Sequence, residues 1–128
     1  MKQNHFFLAT AVIATLFGSM TLFLPEKAAE TFGLTPHAEN AVVLRWLGAI
    51  SLCSALLNFL VRNDNNSNTL KAVLIFTGAF HALSLMVDIM GISQGVLQLN
   101  KLIPGIVIHS LITLGSIFFL MKFKISTQ

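Results

Sequence analysis

The sequence predicts an all-α protein: a four-helix transmembrane bundle with a short interfacial helix after the first span. Composition points there first. Hydrophobic residues make up 55% of the 128 positions and charged residues 10%, with a mean hydropathy of +0.78. A soluble domain carries about 25% charged residues, so this chain lacks the polar surface that water would require and lipid must cover it. The second observation is that the apolar residues gather in four runs, 6–24, 41–61, 70–92 and 102–121. Each is close to the roughly 20 residues that a helix needs to cross the hydrocarbon core. One composition holds throughout, so residues 1–128 are expected to form a single domain.

Lys2 precedes the first run much as a basic residue precedes a signal peptide core. The run is too long for such a core, and no small-x-small cleavage site follows it, so a retained helix is expected. Residues 25–40 make a longer connection with structure of their own. Pro25 at a first helical position, Ala28 and Phe32 on one face, and Gly33 as the stop describe a short helix lying at the membrane surface. Thr35 and Pro36 then offer a cap and a start for the second span. The polar connection 63–69 (NDNNSNT) is short and rich in turn formers, so it should join antiparallel neighbours. The 93–101 connection, with Gly95, is equally short.

The formal net charge is +3 and the isoelectric point about 9.4, but the eight Lys and Arg form no stripe that would suit nucleic acid. All but Arg45 lie near helix ends. Lys2, Arg62, Lys71, Lys122 and Lys124 fall on one side and Lys27 and Lys101 on the other, which by the positive-inside rule places both termini in the cytoplasm. Cys53 is the only cysteine. It has no partner for an internal disulfide, which excludes thiol oxidoreductases that need a pair, and it is expected to be a small buried hydrophobe. His5 and His37 lie outside the spans and are expected to be solvated.

Ionisable groups inside a span cost about 2.5–3.5 kcal/mol each and usually face the bundle interior. Arg45, His81, Asp88 and His109 are in that position. On the third span Thr77, His81, Ser84, Asp88 and Gly91 share one face, and on the fourth Gly105, His109, Thr113 and Ser116 do the same. Arg45 and Asp88 each lie about one turn inside the same bilayer face, which suggests an ion pair between adjacent helices. His109 is expected about two turns in and His81 about three, giving a descending series that opens to the extracytoplasmic side.

That stagger disfavours a haem held between the two imidazoles. No His-x-x-x-His or Glu-x-x-His pair makes a compact metal face. Asp88 is the only acidic residue within a span, so paired-carboxylate chemistry has no second member, and neither a nucleophile elbow nor a Gly-rich phosphate loop occurs. No catalytic residue, metal or cofactor is therefore expected. The expected polar or ligand-binding cluster is Arg45, His81, Ser84, Asp88, His109 and Thr113. Fastening of the helices is the first use to consider, a pocket for a lipid-like or small amphipathic molecule the second, and proton or ion handling the third.

Ala41, Gly48 and Ala55 recur at heptad spacing on the second span, with Ser51 and Asn58 close in phase. This is a small-residue packing face for another helix of the chain or of a second copy, and Asn58 is expected to hydrogen-bond across a helix contact.

Four short elements carry a resemblance over nearly the whole chain: Leu24-Pro25 closing the first helix, Phe32-Gly33 in the first loop, Arg45-x-x-Gly48 opening the second helix, and His81 with Asp88 on the third. In these the chain resembles small four-span bacterial integral membrane proteins of uncharacterised function. The resemblance implies the fold and the bacterial cytoplasmic membrane, and no mechanism. In size and helix count the chain is also similar to membrane sterol isomerases and sigma-type ligand-binding proteins, which are expected to use at least two intramembrane acidic residues where Asp88 stands alone here. The reading is a non-enzymatic membrane protein whose polar cluster is structural or holds a lipid-like ligand. The alternatives are a small membrane enzyme acting on a lipid or isoprenoid substrate, with His81 and Asp88 as acid and base, and a transport or scaffold subunit working as an oligomer.

Overall fold

The computed structural model describes residues 2–65 and 67–123; Lys124 of the charge pattern lies outside them. Five helices follow in order: α1 (Gln3–Phe23), α2 (Pro25–Phe32), α3 (Ala38–Val61), α4 (Asn68–Ser93) and α5 (Leu99–Lys122). Four of them, α1, α3, α4 and α5, are long and apolar enough to cross a membrane. The start of α1, the α3–α4 turn and the end of α5 share one end of the molecule, the terminal end. The opposite, α2 end carries α2 and the α4–α5 turn.

Local chemistry sets the boundaries. Pro25 opens α2 at a position where its missing N–H costs nothing. Gly33 closes it in the left-handed region (φ 75°), with its N–H donating to Glu30 and that of Leu34 to Ala29. Ser67 caps α4 by accepting the Leu70 N–H, while its own hydroxyl donates to Asp64. The start of α3 departs from expectation. His37 is extended and the helix begins at Ala38, so Pro36 stands outside it. The Asn40 amide instead reaches back to the Thr35 carbonyl and ties this segment to the first turn. Within α5, Pro104 withholds the N–H that the Asn100 carbonyl would otherwise accept.

The helices associate as two pairs. α1 lies along α3, and α4 along α5. On the small-residue face of α3, Ala41, Gly48, Ser51, Ala55 and Asn58 are all buried, and Gly48 meets α1. At the crossing the two backbones nearly touch. A Cβ on Gly48 would sit 2.6 Å from the Leu22 nitrogen and 2.8 Å from the Gly18 oxygen. α3 and α4, consecutive in sequence, meet only through a limited contact near the terminal end. There Phe6, Phe7, Val61, Leu70, Leu74, Ile112 and Phe119 form one buried cluster to which all four long helices contribute. At the α2 end, Ala28 and Ala29 pack on Leu44 of α3, and Gly33 lies beside Gln98 and Lys101.

Large apolar side chains cover the outside, among them Val43, Trp46, Leu60, Val87 and Leu114. Cys53 belongs to this exposed surface, against the expectation of burial. The burial habits of free cysteine come from proteins in water. A lipid-facing position is as apolar as a core, so it suits a thiol without enclosing it.

The Gly18–Gly48 approach yields a direct test. In Gly48→Ala the new methyl would meet backbone atoms that cannot turn away, so a loss of about 1–3 kcal/mol is expected. Thermal unfolding in detergent should show a lowered Tm. The same change at Gly105 should not lower it, because nothing lies within 4 Å of the place its methyl would take.

Candidate functional site

The polar residues of α4 and α5 gather into a column. Thr77 and Asn58 lie at its terminal end, where the Thr77 hydroxyl donates to the Asn58 side-chain oxygen at 3.3 Å. Asn58 in turn donates to the Ser54 carbonyl. This is the cross-helix bond expected of Asn58, now with a partner. Ser54, which helical spacing did not single out, is buried one turn before Asn58 on the same face.

Further along the column His81 and His109 meet directly. Their Nδ1 atoms are 2.7 Å apart and their ring centroids 5.0 Å, with Phe80 edge-on to His81. One ring donates its Nδ1–H and the other accepts, which leaves the donor ring with a bare Nε2 and the acceptor ring with an Nε2–H. The stagger inferred from sequence is therefore corrected: the two imidazoles share one level. α5 begins at Leu99 rather than at residue 102, which adds about 4.5 Å of helix before the apolar run. Depths counted from the edges of apolar runs misplace a register that the helix ends decide.

Asp88 is half-buried on the same face of α4, toward the α2 end. Arg45 does not join it. Its side chain is exposed on α3, and no Arg45–Asp88 ion pair forms. The expected pairing assumed that α3 runs beside α4 at that depth, but the long partner of α3 is α1. Ser84 spends its hydroxyl on the Phe80 carbonyl of its own helix. Of the six expected cluster residues, the structure thus joins His81 and His109 directly, places Asp88 and Thr113 on the same column, turns Ser84 inward upon its backbone, and leaves Arg45 outside.

Two hydroxyls stand apart. Thr113 and Ser116 follow His109 at four and seven residues on α5, and neither hydroxyl oxygen has a hydrogen-bond partner although both atoms are buried. Thr10, Thr15 and Ser51 all donate to the carbonyl four residues earlier. Ser116 is wholly enclosed beside Gly78, where a Cβ would come within 3.0 Å of its own. The sequence stripe placed these residues on the inner face, but spacing alone carries no sign of an unsatisfied hydroxyl.

Among the described residues no group of three or more His, Cys, Asp or Glu side chains converges as a metal site would require. Two depressions are present elsewhere, both on the α1–α3 side of the molecule. Comparison with protein families, with curated proteins and with solved structures gives no match for this chain.

If the two histidines depend on each other, His81→Leu and His109→Leu should each cost more alone than their share of the double replacement, because each single change leaves one buried Nδ1 without its partner. The coupling should be about 0.6 kcal/mol and at most about 1.7 kcal/mol, the range of hydrogen bonds between membrane helices. A double-mutant cycle in thermal unfolding measures it, and simple additivity would mean that the rings do not depend on one another.

Proposed function

We propose that this chain is a non-enzymatic integral membrane protein that binds a lipid-like molecule, with its polar column serving to fasten helices rather than to do chemistry. The observation that carries the reading is the direct imidazole contact. His81 and His109, the groups best suited to acid–base work, spend their facing nitrogens on each other. The enzymatic alternative needs His81 open to a substrate, and its side chain is buried between the helices. A conduit for protons or ions is disfavoured by the buried aromatic and aliphatic cluster that all four long helices build at the terminal end of the column. Fastening suits the magnitudes as well, since each bond is weak but leaves few alternatives in lipid.

The proposal includes the small four-span bacterial class and its cytoplasmic membrane, with both termini in the cytoplasm. The charge pattern supports this orientation: Lys2, Arg62, Lys71 and Lys122 belong to the terminal end and Lys27 and Lys101 to the other. Reporter fusions at Asn65 and at the C-terminus should both behave as cytoplasmic, and an extracytoplasmic signal from either would reverse the orientation.

Native mass spectrometry of the wild type, released from lipid discs or mild detergent, should find co-purified lipid retained on the protein. His81→Leu should lower stability and keep that lipid. A wild type that is bare in both media would end the lipid-binding reading, and loss of lipid in His81→Leu would return the column to the role of a pocket.

A further inference from the structure

The seam between α1 and α3 carries an open apolar groove of about 400 Å³, walled by residues that include Leu8, Val12, Thr15, Leu52, Ala55 and Phe59. Its volume falls within the roughly 300–1,000 Å³ of ordinary small-molecule sites. The groove makes no polar demand: the Thr15 hydroxyl already donates to the Ala11 carbonyl at 2.8 Å. At the terminal end of the same seam lies a second depression of about 350 Å³, this one polar, lined by Lys2, Asn4, Arg62, Asn63 and Asp64 among others.

The two follow one another along both helices. Asn4 stands one turn before Leu8 on α1, and Arg62 one turn after Phe59 at the end of α3. The Arg62 guanidinium lies 3.6 Å over the centroid of the Phe59 ring, so the charge rests on the residue that ends the apolar wall. Asp64, the acidic member of the polar depression, is occupied locally, accepting the Ser67 hydroxyl and the Asn65 N–H. Lys2 and Arg62 are the cations at the mouth, the Arg62 guanidinium also donating to the Phe59 carbonyl.

We propose that this seam holds one anionic phospholipid, with an acyl chain in the groove and the phosphate at Lys2 and Arg62. The inference rests on the lipid-binding reading above and moves its site away from the histidine column. A second copy of the chain would also cover apolar surface, but it would bring two cations of its own to the mouth and a single carboxylate, Asp64, whose oxygens are already taken up by Ser67 and Asn65. A free phosphate would satisfy the cations and leave the groove empty. Only an amphipath of negative charge matches both parts.

The test titrates the purified protein in mild detergent with phosphatidylglycerol and with phosphatidylcholine, and counts bound lipid by native mass spectrometry. The wild type should prefer phosphatidylglycerol. The double variant Lys2→Gln, Arg62→Gln should reduce that preference by roughly tenfold or more, the scale of two basic residues at an anionic lipid surface. Thr15→Phe, at an exposed position in the groove wall, should lower occupancy by both lipids while helical content is unchanged. If the wild type binds lipid and neither variant alters it, the lipid sits elsewhere: the proposed site is wrong and the broader reading survives. If the wild type binds neither lipid, the broader reading itself has failed. A wild-type dimer that Thr15→Phe separates would assign the groove to a second copy and overturn the proposal.

Discussion

The passage of α1 over α3 at Gly18 and Gly48 is the contact on which the rest of the structure depends. Between helices in lipid, burying leucine gains nothing, because hydrocarbon is already there. Association must come from close packing or from polar groups with no better partner. Two glycines let backbones approach until carbonyls and amides of one helix lie against the other. Thr21 stands at this crossing with its hydroxyl satisfied by the Phe17 and Gly18 carbonyls of its own helix, so it adds no orphaned polar group there. The crossing consumes the small-residue face of α3. What remains of that helix, including Arg45, Trp46 and Cys53, is left to face outward.

The other pair is held by different means. α4 and α5 approach at Gly78 and Ser116, and the imidazole contact joins them about one turn further along α4. Each such bond averages about 0.6 kcal/mol in membrane proteins, too little to organise a fold singly. The joining of the pairs falls instead to the cluster around Phe7 and Leu74, helped by Asn58 and Thr77. The unpartnered hydroxyls of Thr113 and Ser116 mark where this arrangement is least satisfied, since a buried hydroxyl without a bond costs about 1–3 kcal/mol.

Much of this was legible in the sequence, and the limits have identifiable causes. Composition and run length give the four spans. Pro25 and Gly33 give the extent of α2, because each fits a position that few other residues fit. The inward faces of the third and fourth spans follow from helical period, and so does the packing face of α3. Adjacency did not follow. A short turn guarantees that α3 and α4 are neighbours at that turn and says nothing about how far they run together, so the match in depth between Arg45 and Asp88 carried no contact. Depth failed for a related reason at the histidines: α5 begins before its apolar run, which removes about half of the expected offset, and the side chains span the rest to meet.

The two connections between the helix pairs are made of unlike material. At the terminal end, closely packed aromatic and aliphatic side chains from four helices interlock. At the α2 end, Gly33 rests against the long side chains of Gln98 and Lys101, which can swing without disturbing a core. Mechanically the molecule is a clothes-peg with a stiff pin and soft jaws. Any load that spreads the pairs would be resisted near Phe7 and yield at Gly33, so the compliance of the protein is unequal across the thickness of the membrane.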